Sequence, residues 1–131
     1  MENKRKIMII DDNLDFVNMI TEYLSELDVN IYKLMNFEDE NDIIKKIEEF
    51  IPDFILLDIN LGNASGLKVI ENLKRNALIS KIPIIIITAS DYNDIVASML
   101  RGEKNIFGFC SKLEIDVIKN KLQKYLRGSY G

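Results

Sequence analysis

Four short apolar runs and one weakly alternating segment, Val29–Leu34, are separated along the chain by longer segments in which apolar residues recur at helical spacing. Continuous apolar runs of this length are typical of strands buried on both faces of a parallel sheet. The predicted strands are Lys6–Ile10, Val29–Leu34, Phe54–Leu57, Ile84–Ile87 and Ile106–Cys110. Strands that alternate with helices need crossover connections, and such connections place helices on both faces of the sheet. The sequence therefore predicts a doubly wound α/β domain with a five-stranded parallel sheet.

The segments between the runs predict five helices. The first carries an apolar stripe and has Asp12 or Asn13 available as its N-cap; the stripe consists of Leu14, Val17, Ile20, Leu24 and Leu27. The other four helices are predicted around residues 43–51, 67–73, 91–101 and 115–126, and a loop is expected over residues 59–65. A chain of 131 residues suits one domain. We expect the domain to cover residues 1–126, and the short tail 127–131 has the composition of a linker.

Composition excludes several classes of function. The net charge is −4 and the lysines are scattered among acids, so we expect no direct nucleic-acid binding. The absence of histidine excludes Ser-His-Asp and Cys-His catalysis. No apolar segment is long enough for a signal peptide or a membrane span, so a cytoplasmic location is expected. The single cysteine, Cys110, is expected to pack in the core.

Polar residues follow four of the five predicted strands. Asp11 and Asp12 come directly after the first strand, Asp58 after the third, Thr88 after the fourth and Lys112 just past the fifth. Each has an ordinary explanation alone, as a helix cap, a turn residue or a surface lysine. Ligands of open α/β sheets, however, bind outside the carboxyl ends of the strands. The joint placement of these residues at one sheet edge therefore favours a functional site.

The chemistry of this set indicates a metal and a phosphoryl group. Three carboxylates held together repel one another unless a hard divalent cation shares their charge, and Mg²⁺ fits oxygen ligands of this kind. A carboxylate beside such a metal can attack phosphorus, and Asp58 stands alone at its strand end. The Lys112 ammonium and the Thr88 hydroxyl are placed to stabilise the transferred group.

Four motifs together resemble the receiver domain of two-component response regulators, from about Lys6 to Leu126. The motifs are IMIIDDN, PDFILLDINLGNASGL, PIIIITAS and FCSK. The resemblance implies a flavodoxin-like sheet with strand order 2-1-3-4-5. It also implies a phospho-acceptor that loses its phosphoryl group slowly, rather than a turnover enzyme. The output is then a conformational switch of the face that runs from the fourth strand to the 115–126 helix.

The resemblance also implies roles for individual residues. Asp58 is the phospho-acceptor, served by a sensor histidine kinase, a phosphotransfer protein or a small acyl phosphate. Asp12, Asp58 and the backbone carbonyl of Asn60 would bind Mg²⁺ directly, and Asp11 through water. The remaining implied roles are those of the switch residues, Thr88 and Phe109, and of the residues that tune dephosphorylation, Asn60 and Ser90. A homodimer through the 91–101 helix, the fifth strand and the 115–126 helix is a further expectation.

Three departures from the family pattern bear on the site. Leu113 follows Lys112 where the family has a proline in a cis peptide bond, and we expect a trans bond because a non-proline cis bond costs about 2.5–4 kcal/mol. Gly62 stands where a proline is common, which should loosen the loop after Asp58. The stretch between Thr88 and Phe109 is slightly longer than usual, so partner recognition there is expected to differ.

Two alternative functions remain at this point. The first is a receiver-like interaction module that no longer accepts phosphate; the intact acidic residues oppose it, and Leu113 favours it weakly. The second is a small phosphatase or flavin-binding enzyme on the same fold. The chain lacks both glycine-rich phosphate-binding motifs, G-x-x-x-x-G-K-[ST] and G-x-G-x-x-G, and the acidic DDNLDF segment would repel a cofactor phosphate.

Overall fold

A computed structural model describes residues 4–88 and 105–127 of the chain. In this part of the chain, five parallel strands form one sheet in the order β2-β1-β3-β4-β5. The strands are β1 (Arg5–Ile10), β2 (Val29–Leu34), β3 (Phe54–Asp58), β4 (Ile84–Thr88) and β5 (Ile106–Ser111). The predicted fold class and the strand order that the family resemblance implied are both confirmed.

Four α-helices are described beside the sheet. They are α1 (Leu14–Tyr23), α2 (Glu40–Phe50), α3 (Gly66–Lys74) and α4 (Ile115–Leu126), and a 3₁₀ turn over Leu24–Glu26 follows α1. The predicted 91–101 helix and Ser90 lie outside the described residues. None of the helices found in 4–88 and 105–127 combines the length and apolar character needed to cross a membrane.

Side-chain caps fix where three of the four described helices, α1, α2 and α3, begin. Asn13 is the N-cap of α1, and its Oδ1 accepts a hydrogen bond of 2.9 Å from the backbone N–H of Phe16. Asp39 caps α2 and Ser65 caps α3 in the same way. Asn13 rather than Asp12 therefore satisfies the first turn of α1, and the Asp12 carboxylate has no role as the cap.

Apolar side chains on the two faces of the sheet form two cores. The helices α2 and α3 cover one face, and α1 and α4 cover the other. Cys110 is completely buried in the second core, as predicted. The prediction that Leu14 belongs to the buried stripe of α1 is wrong, because Leu14 is 57% exposed whereas Phe16 is only 5% exposed. Leu14 lies in the first turn of α1, at the edge of the sheet, where Phe16 covers the core instead.

The parallel register brings the ends of four strands to one edge of the sheet. Asp58 is paired with Ile87, so β3 and β4 end side by side. The N–H of Lys112 donates a 2.7 Å hydrogen bond to the carbonyl of Thr88, which aligns the end of β5 with the end of β4. The N–H of Asp11 donates to the carbonyl of Leu34 over 3.2 Å and aligns β1 with β2. Asp11, Asp58, Thr88 and Lys112 thus leave the sheet at the same edge.

Candidate functional site

Three carboxylates lie together at the carboxyl edge of the sheet. One oxygen from each of Asp11, Asp12 and Asp58 lies within 4.8 Å of the other two. Asp11 is 1% exposed and Asp58 is 4% exposed, whereas Asp12 is open to solvent. The predicted gathering of these three acids into one pocket is confirmed.

The Lys112 ammonium lies between the two buried carboxylates. Its Nζ is 2.8 Å from Oδ2 of Asp11 and 3.3 Å from Oδ2 of Asp58. The same atom lies 4.8 Å from the centre of the Phe16 ring, a distance at which a cation is attracted to the ring face. The side chain of Lys112 therefore connects the acidic pocket to the first turn of α1.

Burial controls the protonation of Asp58. Loss of solvent and, to a smaller extent, the charge of Asp11 raise the pKa of this carboxyl, which has a net value of about 6. The Asn60 N–H, which donates to Oδ1 of Asp58 over 3.0 Å, and the Lys112 ammonium oppose the rise. Burial disfavours the charged form of Lys112, but the hydrogen bond to Asp11 and the two carboxylate charges outweigh it and raise the Lys112 pKa. The pocket thus holds more negative charge than its one ammonium compensates.

Asp58 should make the stability of the metal-free protein depend on pH. Its pKa is about 6 in the folded state against an ordinary 3.8, so its favourable contribution is complete below about pH 4 and is lost as the pH rises through 6. We expect the free energy of unfolding of Asp58→Asn, relative to wild type, to rise by about 1–2 kcal/mol between pH 4 and pH 7.5, allowing for solvent screening. Urea unfolding in EDTA at several pH values measures this difference, and a difference independent of pH would contradict it.

The donor set fits a hard divalent cation. All three acidic side chains offer oxygen, the ligand atom that Mg²⁺ prefers. Oδ1 of Asp11 accepts a hydrogen bond from the Asn13 N–H over 2.9 Å. Oδ2 of Asp11 is buried and, among the described residues, has no hydrogen-bond partner beyond its contact with the Lys112 ammonium. Such an oxygen can accept a hydrogen bond from a metal-bound water, as the implied role of Asp11 requires.

The loop after β3 folds back on itself beside the pocket. Asn60 and Ser65 form an isolated antiparallel pair, and the Gly66 N–H donates to the carbonyl of Ile59 over 3.1 Å. A Cβ on Gly66 would lie 2.7 Å from Cα of Ile59, so only glycine permits this close approach. Gly62 has φ +66°, which the fixed ring of proline cannot adopt, and a Cβ there would lie 3.0 Å from Oδ2 of Asp12.

The other predicted site residues lie at the same edge or beside it. Thr88 is 5% exposed at the end of β4, and Phe109 lies partly buried on β5 against the core under α2 and α3. The described residues contain no cis peptide bond, so the trans bond predicted between Lys112 and Leu113 is confirmed. Leu113 is 86% exposed, and its N–H donates to Oγ of Ser111 over 3.1 Å. The switching roles of Thr88 and Phe109 and the tuning roles of Asn60 and Ser90 stay predictions.

Sequence reasoning missed two sets of contacts near the pocket. Phe16 was not singled out, although its place within the apolar pattern of α1 marks it as a candidate for burial. The hydrogen bonds from Asn63 to the Phe37 carbonyl, 2.9 Å, and from the Ser65 N–H to Glu40, 2.7 Å, were also missed. No local pattern signals these pairs, because their partners are distant in sequence.

A parallel sheet of this order, with an acidic pocket and a lysine at its carboxyl edge, defines a class of signalling domain. The sequence model described as "Response regulator receiver domain" matches residues 7–123. The chain therefore belongs to the response regulator receiver domain family.

Individual relatives agree with this assignment. The Sensory transduction protein BceR of Halalkalibacterium halodurans is 32% identical over 127 residues, which cover 93% of this chain and 50% of BceR. The chain thus spans about half the length of that relative. The signal receiver domain of a Vibrio parahaemolyticus protein described as a Luxo repressor superposes with TM-score 0.79 and 22% identity, covering 98% of this chain and 94% of that one. The phosphorylated cyanobacterial phytochrome response regulator RcpA gives TM-score 0.75 and 19% identity, with 95% of each chain covered.

Proposed function

We propose that this receiver domain accepts a phosphoryl group on Asp58 in a Mg²⁺-dependent reaction. The observation that carries the proposal is the position of the Asp58 carboxylate. It is almost fully buried at the end of β3, within 4.8 Å of the Asp11 and Asp12 carboxylates and 3.3 Å from the Lys112 ammonium. A strand-end carboxylate in that setting has a fixed orientation and a cation beside it, as a nucleophile toward phosphorus requires.

The chemical step forms an acyl phosphate. An oxygen of the Asp58 carboxylate attacks phosphorus, the bond from phosphorus to the donor nitrogen or oxygen breaks, and the donor leaves with that electron pair. The Lys112 ammonium stabilises the charge that builds up on the phosphoryl oxygens, and Thr88 offers a hydroxyl at the neighbouring strand end. Bound Mg²⁺ would neutralise carboxylate and phosphoryl charge. Its ligands would be Asp12, Asp58 and the Asn60 carbonyl, with Asp11 acting through water.

Family membership supports a sensor histidine kinase or a phosphotransfer protein as the donor. One structural relative is described as a phosphorylated response regulator, which is consistent with phosphoryl transfer on this fold. The domain would accept one phosphoryl group and lose it slowly to water, so it is not a turnover enzyme. Asn60 and Ser90 would set the rate of that loss.

The output would be a shift between two conformations. Thr88 would turn toward the phosphoryl group and Phe109 would turn inward with it, which would change the surface that includes β4, β5 and α4. Dimerisation through that face is part of the proposal. The alternative is an interaction module that binds a partner without phosphorylation, and the exposed Leu113 beside the pocket is the observation in its favour.

Phosphorylation by acetyl phosphate separates the two functions. Intact mass should show one added phosphoryl group in Mg²⁺ and none in EDTA. Asp12→Ala should lose most of the adduct and should bind Mg²⁺ about 100-fold more weakly, because a ligating carboxylate is removed.

Absence of any adduct would favour the interaction module, provided that a phosphorylated kinase also fails to transfer. An Asp12→Ala protein that is phosphorylated at the wild-type rate in limiting Mg²⁺ would contradict the metal assignment. A yellow purified protein or steady hydrolysis of a phosphate ester would instead indicate an enzyme.

A further inference from the structure

We infer that Glu40 and Asn63 are positioning residues for the Mg²⁺ site, although neither is a proposed ligand and Glu40 lies outside the motifs that mark the site. They hold the polar half of the loop after β3, residues 62–65, against the segment that leads into α2. The inference rests on the proposed function, because it concerns the metal site used there.

Two hydrogen bonds join the loop to that segment. Oε2 of Glu40, at the start of α2, accepts the N–H of Ser65 over 2.7 Å. Nδ2 of Asn63 donates to the carbonyl of Phe37 over 2.9 Å. The Asn63 contact thus holds the loop next to Gly62, and the Glu40 contact holds it at Ser65, just before α3.

The contact to Ser65 leads directly to the proposed metal ligand. Ser65 pairs with Asn60 in the isolated bridge, and Asn60 carries the carbonyl proposed to bind the metal. The Asn60 N–H also donates to Oδ1 of Asp58. Glu40 therefore acts on a backbone pair, one member of which contacts the phospho-acceptor. Outer contacts of this kind orient the groups that bind a metal.

The loop needs such support because of Gly62. Glycine has a larger range of backbone conformations than any other residue, and Gly62 adopts φ +66° beside the Asp12 carboxylate. The buried side chains of Ile59 and Leu61 anchor the apolar half of the loop in the core. They do not fix the polar half, where Asn63 is exposed. The hydrogen bonds of Glu40 and Asn63 therefore restrict the backbone conformations of the loop next to Gly62, where glycine alone would allow many.

The protein contains a matched control for the Glu40 contact. Glu48 lies on the same helix, two turns further along, and its Oε2 accepts a 2.7 Å hydrogen bond from Nδ2 of Asn76, just after α3. Both glutamates therefore link α2 to the chain next to α3 through one hydrogen bond of the same length. They differ in which end of α3 they contact, and only the Glu40 end adjoins the acidic pocket.

The test is the Mg²⁺ affinity of the unphosphorylated protein, measured by isothermal titration calorimetry. We expect Glu40→Ala and Asn63→Ala to bind Mg²⁺ about three- to tenfold more weakly than wild type, a smaller loss than is usual for contacts behind a metal ligand. Glu48→Ala should bind as wild type does. Glu40→Gln keeps an acceptor oxygen for Ser65 and should also stay within about twofold of wild type.

A second measurement separates positioning from general damage. At saturating Mg²⁺ the rate of phosphorylation by acetyl phosphate should return to the wild-type value in Glu40→Ala, since the defect lies in metal binding. Equal Mg²⁺ affinities of Glu40→Ala and Glu48→Ala would overturn the inference, as would a loss in Glu40→Gln equal to that in Glu40→Ala. Failure of the wild-type protein to bind Mg²⁺ would overturn the proposed function together with it.

Discussion

Asp58→Asn is expected to abolish the phosphoryl adduct completely. Asparagine has nearly the same shape as aspartate, and its Oδ1 can still accept the hydrogen bond that the Asn60 N–H makes to Asp58. The amide lacks the negative charge that makes the carboxylate a nucleophile, so the fold is kept and the reaction is lost. Intact mass after incubation with acetyl phosphate and Mg²⁺ gives the result directly.

The matched control for this variant is Asp15→Asn. Asp15 is an exposed acid in the first turn of α1, so its replacement changes the net charge equally without touching the buried pair. Asp15→Asn should accept one phosphoryl group as wild type does. An adduct of unchanged yield on Asp58→Asn would assign the acceptor to another residue.

Lys112→Met is expected to lower the free energy of unfolding of the metal-free protein by about 2–4 kcal/mol at pH 7.5. Methionine keeps most of the apolar stem but removes the ammonium, which lies between Asp11 and Asp58 and over the Phe16 ring. Two buried carboxylates then lose their compensating charge. Removing one partner of a buried ion pair is strongly destabilising, because the other charge stays buried and unpaired. Urea unfolding in EDTA measures the change.

Two controls isolate the charge effect. Lys46→Met removes an exposed ion pair with Glu49, which lies at 3.6 Å, and should cost less than about 1 kcal/mol. The double variant Asp58→Asn with Lys112→Met should be less destabilised than Lys112→Met alone, because one buried charge is gone. If Lys112→Met costs no more than Lys46→Met, the ion pairs at the pocket do not stabilise the metal-free fold.

The architecture could be predicted because its signals are local. Apolar runs, and weak alternation over Val29–Leu34, gave all five strands to within one residue at each end, and the order of the sheet followed from the family resemblance. Leu14 was assigned to the wrong environment because periodicity gives the face of a helix but not how far its first turn extends past the core. The register shift between β4 and β5, where Ile84 pairs with Ile106 and Ile85 with Gly108, was not predicted, although an isolated glycine in a strand can signal a bulge.

The pocket residues that follow the strands could also be predicted from the sequence. Parallel topology sends the residues after each strand to one edge, so Asp11, Asp12, Asp58 and Lys112 were expected to meet. The contacts made by helix residues were not predicted. Phe16 contacts Lys112, and Glu40 contacts Ser65, only because α1 and α2 pack on the sheet where they do. Those contacts depend on packing between elements distant in sequence.

Lys112 contacts the ends of two neighbouring strands, β3 through its side chain and β4 through its backbone. Its side chain reaches the acceptor carboxylate on β3, while its backbone N–H is bonded to the carbonyl at the end of β4. A ligand on Asp58 that attracts the ammonium would therefore act on the same residue whose backbone joins the ends of β4 and β5. The same ammonium lies 2.8 Å from Oδ2 of Asp11, just after β1, so a displacement of Lys112 would also lengthen the contact that joins the ends of β1 and β5.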